Sequence, residues 1–94
     1  MLDYYADWCV SCKEMERFTF TDAAVQAKLK SVVLLQADLT ANSEADQALL
    51  KRYGLFGPPA ILFFDAQGKE SEDFRVTGYQ DAAQFLKSLQ AAGI

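Results

Sequence analysis

Short apolar runs alternate along this chain with segments in which apolar residues return every three or four positions. "MLDYYA" (1–6) is brief and rich in aromatic residues, as a buried strand would be. From Val10 the pattern changes. Met15 and Phe18 stand three apart with Lys13, Glu14 and Arg17 interspersed, which predicts an amphipathic helix beginning near the cysteines of "CVSC". "FTFTD" interrupts it, and Thr21 or Asp22 can cap a second helix, "AAVQAKLK", with Val25 and Leu29 on one face. "VVLLQADL" (32–39) has the β-branched, apolar composition of a central strand. "TANSEADQ" offers several N-caps for a helix carrying Ala48, Leu49 and Tyr53, which Gly54 ends from the C′ position.

"LFGPP" (55–59) breaks regular structure ahead of the strand "AILFFD" (60–65). "AQGK" is a turn, and "EDFRVTG" (72–78) reads as the antiparallel partner of that strand. "DAAQFLKSLQAAG" closes the chain as a helix with Phe85, Leu86 and Leu89 facing inward. The order β-α-α-β-α-β-β-α implies parallel strands joined by helical crossovers, then a hairpin. The expected architecture is an α/β sandwich on a mixed sheet. No repeat or linker divides it, so residues 1–94 are read as one domain.

Composition narrows the function classes. Half the residues are apolar, with seven Phe, four Tyr and one Trp, enough for one compact core. The net charge is −4 and the bases are scattered, which argues against nucleic acid as a partner. No apolar run approaches the roughly 18 residues of a membrane span, so no direct membrane insertion by this segment is expected. No signal-peptide pattern opens it, and the chain is read as a fragment of a longer protein. Two Cys and no His exclude His-dependent catalysis. A closed zinc site takes four ligands, so two thiolates would need carboxylates or a second chain. A bridge across a two-residue gap restrains the unfolded chain little, which leaves a redox pair as the favoured reading over a structural disulfide or a metal site.

A strand followed by Cys-Val-Ser-Cys and a helix places Cys9 at the helix N-terminus. Unpaired backbone N–H groups and the positive end of the helix dipole favour the thiolate there. Cys12 lies about one turn further in, less exposed, and placed to resolve a mixed disulfide formed at Cys9. Glu16, four residues after Cys12, shares its helix face but reads most simply as a solvated residue. Asp3 is either a strand carboxylate raised in pKa by burial, able to take the proton of Cys12, or part of a frayed terminus. Trp8 is a hydrophobic cover for the thiols or a packing residue. Asp7 and Lys13 read as solvent-facing charges, Tyr4, Tyr5, Phe63 and Phe64 as core or strand-face residues, and "KESED" (69–73) as an exposed turn and strand edge. Pro58 and Pro59 just ahead of a buried strand point to a cis X-Pro loop shielding the thiols, or to a stiff trans loop with no catalytic part.

Trp-Cys-x-x-Cys-Lys behind a strand, a Pro loop ahead of "AILFFD", and then "VTGY" resemble the thioredoxin-fold family in content and order. Within it, "YADWCVSCKEME", "TFTD", "VVLLQADLTAN", "ILFFDAQGKE" and "RVTGY" are similar to the C-terminal periplasmic domain of the bacterial transmembrane thiol:disulfide interchange (DsbD) family, over almost the whole chain. The resemblance implies a thioredoxin-like three-layer sandwich with a mixed central sheet, here lacking the first strand and helix that usually precede "MLDYYA". It implies a protein-disulfide reductase at the periplasmic face of the inner membrane. Electrons would come from a membrane-embedded cysteine pair and pass to the N-terminal domain of the parent protein, ultimately serving isomerases and cytochrome c maturation. No metal or cofactor is implied beyond a redox-active Cys9–Cys12 disulfide, and the chain is expected to be a monomer acting on protein thiols and disulfides.

Carried over by position, Cys9 is the nucleophile and Cys12 the resolving thiol, Asp3 and Glu16 are the acids that tune their pKa values, and Pro59 is the cis-proline. Without a preceding strand, Asp3 is expected to feel the free α-amino group. Pro58 departs from the family: relatives usually offer a backbone N–H there for the substrate main chain, and proline has none. A free-standing thioredoxin is the alternative within the same chemistry. Outside it stand a metal-binding module and an interaction domain with incidental cysteines.

Overall fold

A computed structural model describes residues 1–94. The elements are β1 (Leu2–Tyr5), α1 (Val10–Glu14), which runs directly into a π-helical turn (Met15–Thr19), α2 (Ala23–Leu29), β2 (Leu35–Asp38), α3 (Glu44–Arg52), β3 (Ala60–Leu62), a 3₁₀ turn (Glu72–Phe74), β4 (Val76–Thr77) and α4 (Ala82–Ala91). The strands form one sheet in the order β2-β1-β3-β4. β1 runs parallel to β2, with Leu2 opposite Leu35 and Tyr5 opposite Asp38. β3 runs antiparallel to β1, and β4 antiparallel to β3. The mixed sheet and the final hairpin are as the element order implied.

Alternation along the strands divides the core into two halves. Tyr4, Leu62 and Ala60 pack with Cys9, Cys12, Leu39 and Leu50 of α3 on one face. Ile61, Phe63 and Val76 pack with Val25 and Leu29 of α2 and Phe85 and Leu89 of α4 on the other. Helices therefore cover both faces, which makes three layers. The helix that follows the cysteines straddles the end of the sheet: Cys12 belongs to the first half and Met15 to the second.

The helix ends are set by local chemistry. Asp22, not Thr21, caps α2, its Oδ1 accepting the Ala24 and Val25 N–H groups. Ser43 with Asp46 and Asp81 with Gln84 form reciprocal capping boxes on α3 and α4. After α3, Leu55 N–H donates to the Leu50 carbonyl (2.9 Å) and Gly54 N–H to Lys51 (3.1 Å), a Schellman turn that aims the chain into the proline loop. Gly54 sits at φ +68°, and a Cβ there would meet nothing within 4 Å. Gly54→Ala is therefore expected to cost only the backbone term, about 1 kcal/mol, seen as a drop of roughly 5 °C in thermal midpoint. An unchanged midpoint would mean that this turn is not formed in solution.

Four expectations change. The strand within 32–39 is shorter than its composition suggests: only residues 35–38 pair, with β1, and Val33, Leu34 and Leu35 are exposed. Phe18 does not face inward. The turn at residues 15–19 closes by an i+5 bond, Phe20 N–H to Met15 carbonyl at 2.9 Å, so the residue four along returns to the buried face. That residue is Thr19, fully buried, with its hydroxyl donating to the Gln80 carbonyl at 2.6 Å. The second half of the hairpin is mostly turn, with β4 reduced to Val76 and Thr77. In "KESED", Glu70 is not a free surface charge. Its carboxylate accepts from Arg75 Nε at 2.5 Å and Nη2 at 2.8 Å, while Arg75 Nη1 donates to the Tyr53 carbonyl at 2.7 Å.

Candidate active site

β1 ends at Tyr5, and the turn 6–9 delivers Cys9 as the N-cap of α1. Its extended backbone (φ −89°, ψ 106°) leaves Sγ beside the first turn, where it accepts the Cys12 N–H at 3.1 Å. That bond occupies a backbone donor which the helix geometry leaves without an intrahelical partner. A backbone N–H at a helix N-terminus is a donor of the kind that favours a thiolate over a thiol. Cys9 and Cys12 are joined as a disulfide with Cα atoms 5.2 Å apart. Both are buried, Cys12 the deeper, and its Sγ lies 4.0 Å from the Tyr4 carbonyl oxygen at the end of β1. Around them Trp8 and Val10 are exposed, so the pair sits at the base of an apolar surface patch.

Asp3 lies one residue before Tyr4 and on the opposite face of the sheet, across from Ile61. It borders an open cleft of about 480 Å³ with Met1, Phe20, Leu29, Leu34 and Leu35. Burial among these apolar groups, and secondarily the negative charge of Glu16, push the Asp3 carboxyl up to about 7. Glu16 itself is exposed, yet it stands close enough to bear on Asp3. The structure thus brings the two acids into electrostatic contact behind the disulfide helix. The α-amino group plays no such part. It donates to the Val33 carbonyl at 2.9 Å, and Asp3 is moved by desolvation and Glu16 instead.

The peptide bond between Pro58 and Pro59 is cis. The Pro59 carbonyl accepts the Gly78 N–H at 3.2 Å, and Ala60, the next residue, packs in the same half-core as both cysteines. Pro58 and Pro59 border a cleft with Phe56, Thr77 and Gly78, separate from the one that holds Asp3. Phe56 is fully exposed at its rim.

The turn carrying Trp8 is held by a loop the sequence did not single out. Asp38 at the end of β2 accepts the Thr40 N–H at 2.9 Å and also the Thr40 hydroxyl proton. These two bonds hold the Asp38 carboxyl below the usual carboxylate range, with a small opposing effect of desolvation and a further lowering by Lys13. Thr40 Oγ1 in turn accepts the Asp7 N–H at 2.9 Å, and the Thr40 carbonyl accepts the Trp8 indole N–H at 3.1 Å. Asp7 and Lys13 are exposed as expected but not free: Lys13 Nζ is 3.6 Å from Asp7 Oδ1, which also accepts the Tyr5 hydroxyl at 2.7 Å. The sequence signal for Thr40 is Asp-x-Thr, an Asx turn. No group of three or more Cys, Asp or Glu side chains is arranged to hold a metal ion.

Comparison with known proteins agrees with this geometry. A family model described as a thioredoxin-like domain matches residues 1–93. The thiol:disulfide interchange protein DsbD of Ralstonia nicotianae is 65% identical over 92 residues, covering 98% of this chain and 15% of that protein. DsbD of Yersinia pestis (strain Pestoides F) is 58% identical over 90 residues, covering 96% of this chain and again 15% of its own length. The chain thus spans about one-seventh of the curated relatives it matches. Among solved structures, the oxidised C-terminal domain of Neisseria meningitidis DsbD superposes with a TM-score of 0.85 at 41% identity, covering 97% of this chain and 77% of that one. A thioredoxin from Thermus thermophilus shares the fold, with a TM-score of 0.81 at 24% identity and coverage of 99% of this chain and 72% of that one. With its cysteine pair at a helix start on this sheet, the chain belongs to the thioredoxin-like family of disulfide oxidoreductases and, within it, to the C-terminal domains of the thiol:disulfide interchange protein DsbD.

Proposed function

We propose that this domain works as a dithiol reductant in an electron relay, with Cys9 attacking and Cys12 resolving. The observation that carries the reading is the position of Cys9 Sγ, an N-cap sulfur accepting the Cys12 N–H beside an exposed apolar patch, with Cys12 deeper in the core. The Cys9 thiolate attacks one sulfur of a partner disulfide, forming a mixed disulfide and releasing the other partner sulfur as a thiolate that takes up a proton. Asp3, poised near neutral pH but on the opposite face of β1 from Cys12, takes the Cys12 proton through solvent rather than by direct contact. The Cys12 thiolate then displaces the second partner sulfur from Cys9, and that sulfur leaves as a thiolate that takes up a proton from solvent. The partner leaves as a dithiol carrying two electrons and two protons, and the domain is left as the Cys9–Cys12 disulfide.

The donor that restores the dithiol is, by relation to DsbD, a cysteine pair in a membrane-embedded part of the same protein, and the acceptor its N-terminal periplasmic domain. The domain then faces the periplasm at the inner membrane. No helix here is long and apolar enough to cross a membrane. Glu16 keeps Asp3 from ionising too early, and the loop of Pro58 and Pro59 leads into Ala60, which packs with the cysteine pair. Because Pro58 lacks an N–H, the partner main chain docks there only through the Pro58 carbonyl.

Equilibration of the chain in thiol redox buffers, followed by Trp8 fluorescence, tests the direction of transfer. A midpoint well below about −200 mV is expected of a donor. A midpoint near roughly −120 mV would mark an oxidant and overturn the relay as drawn.

A further inference from the structure

We infer that Thr40 is a positioning residue for the redox turn, holding the two residues ahead of Cys9 in the arrangement from which Cys9 reacts; this rests on the Cys9-first reading above. Thr40 is half-buried on the loop between β2 and α3, more than thirty positions from the turn it holds. A hydroxyl has one proton to give. Asp38 Oδ1 takes it, so the lone pairs of Thr40 Oγ1 are turned toward the Asp7 N–H, 2.9 Å away. Asp38 Oδ1 also accepts the Thr40 N–H at 2.9 Å, which sets the Thr40 backbone and with it the carbonyl that receives the Trp8 indole N–H at 3.1 Å. The anchor beneath is firm: Leu39 N–H donates to the Tyr5 carbonyl at 2.7 Å, carrying the β1–β2 pairing up to the residue next to Thr40.

Within its own backbone the turn 6–9 closes with one bond, Cys9 N–H to the Ala6 carbonyl at 3.1 Å. Asp7 and Trp8 are exposed, and no core packing holds them. In the disulfide state the covalent link to Cys12 restrains Cys9 from its other side. In the dithiol state that link is gone, and the hold of Thr40 on the Asp7 N–H and the Trp8 indole, beside the Tyr5 and Lys13 contacts of the Asp7 carboxylate, keeps the segment entering Cys9 ordered. Attack on a disulfide needs the incoming sulfur aligned with the bond it breaks, so order here lowers the barrier rather than only adding stability.

The test uses the 94-residue chain with Thr40→Val, which keeps the side-chain shape and removes both hydroxyl bonds, and with Thr40→Ser, which restores them. Rates are taken with insulin as the disulfide at a temperature where thermal melts show each protein fully folded. Thr40→Val is expected to slow attack by about three- to tenfold, the worth of one hydrogen bond, and Thr40→Ser to return it to within about twofold of the parent. Fluorescence anisotropy of Trp8, the single tryptophan, is expected to fall in Thr40→Val and not in Thr40→Ser, whichever way electrons flow. A folded Thr40→Val with parental rate and parental anisotropy overturns the inference, and so does a slowed Thr40→Ser. A lowered melting point with an unchanged rate shows a merely structural residue and overturns it as well. A parent chain inert toward insulin overturns instead the reading of Cys9 as attacking thiol, and the role of Thr40 falls with it.

Discussion

Replacing Cys9 by serine is expected to abolish disulfide exchange down to the background rate, a loss of at least about a thousandfold, because a serine hydroxyl forms no mixed disulfide and is scarcely ionised at neutral pH. Cys12→Ser is expected to behave differently: attack survives and the reaction stops at a stable mixed disulfide through Cys9. The contrast follows from depth. Cys9 caps the helix next to exposed Trp8 and Val10, whereas Cys12 lies under it against the end of β1. The fold should persist in both variants. Closing so short a loop is worth about 2 kcal/mol at most, and the dithiol state of the parent does without it as well. Thiol trapping on gels after mixing with insulin, with circular dichroism on the same samples, reads both effects. A captured partner on Cys9→Ser in place of Cys12→Ser would exchange the two roles.

Much of this architecture is legible along the chain because its signals are local. Gly54 announces the end of α3 wherever the helix packs, and Asp22 and Asp81 act through donors two or three residues away. The cysteine spacing is legible for the same reason: it implies a helix N-terminus, and the cap geometry of Cys9 is that of the element it begins. What escapes is set by distant parts of the chain. Phe18 fits an inward face at helical spacing, and only the buried bond from Thr19 to Gln80, sixty-one positions away, shows why the helix widens and turns Phe18 outward. The bounds of β2 within "VVLLQADL" depend on which residues pair with β1, not on composition. Glu70 looks like one more surface acid until Arg75 comes across the hairpin to meet it. Thr40 is the same case at the site itself, ordinary in its own loop and consequential only because the fold lays that loop against the redox turn.

Asp3→Asn is expected to make the folded chain more stable at neutral and alkaline pH while making it a slower reductant. With its carboxyl pushed up to about 7 from an ordinary 3.8, Asp3 in the folded chain holds a proton that the unfolded chain has already lost across that interval. Stability therefore falls as pH rises. The contribution is present in full below about pH 4, declines through the window, and is gone above about pH 7, a total of order 4 kcal/mol at 1.36 kcal/mol per unit. Asparagine has no proton to lose, so its stability should stay level across the same window: near parity with the parent at pH 4, and ahead of it at pH 8. Urea unfolding at several pH values measures this directly, and parallel curves for the two proteins would show that Asp3 is not buried as described. Catalysis should move the other way. With no carboxylate to accept the Cys12 proton, resolution of the mixed disulfide is expected to slow by about a hundredfold at pH 7 and to recover at higher pH as Cys12 ionises unaided. Glu16→Gln separates the two acids. Removing its charge lets Asp3 ionise at lower pH, which shifts the stability window downward and leaves the carboxylate that receives the proton in place. If both substitutions slowed resolution equally at every pH, the acids would be acting on packing around α1, whereas a pH-dependent loss confined to Asp3→Asn ties the buried carboxyl to the proton of Cys12.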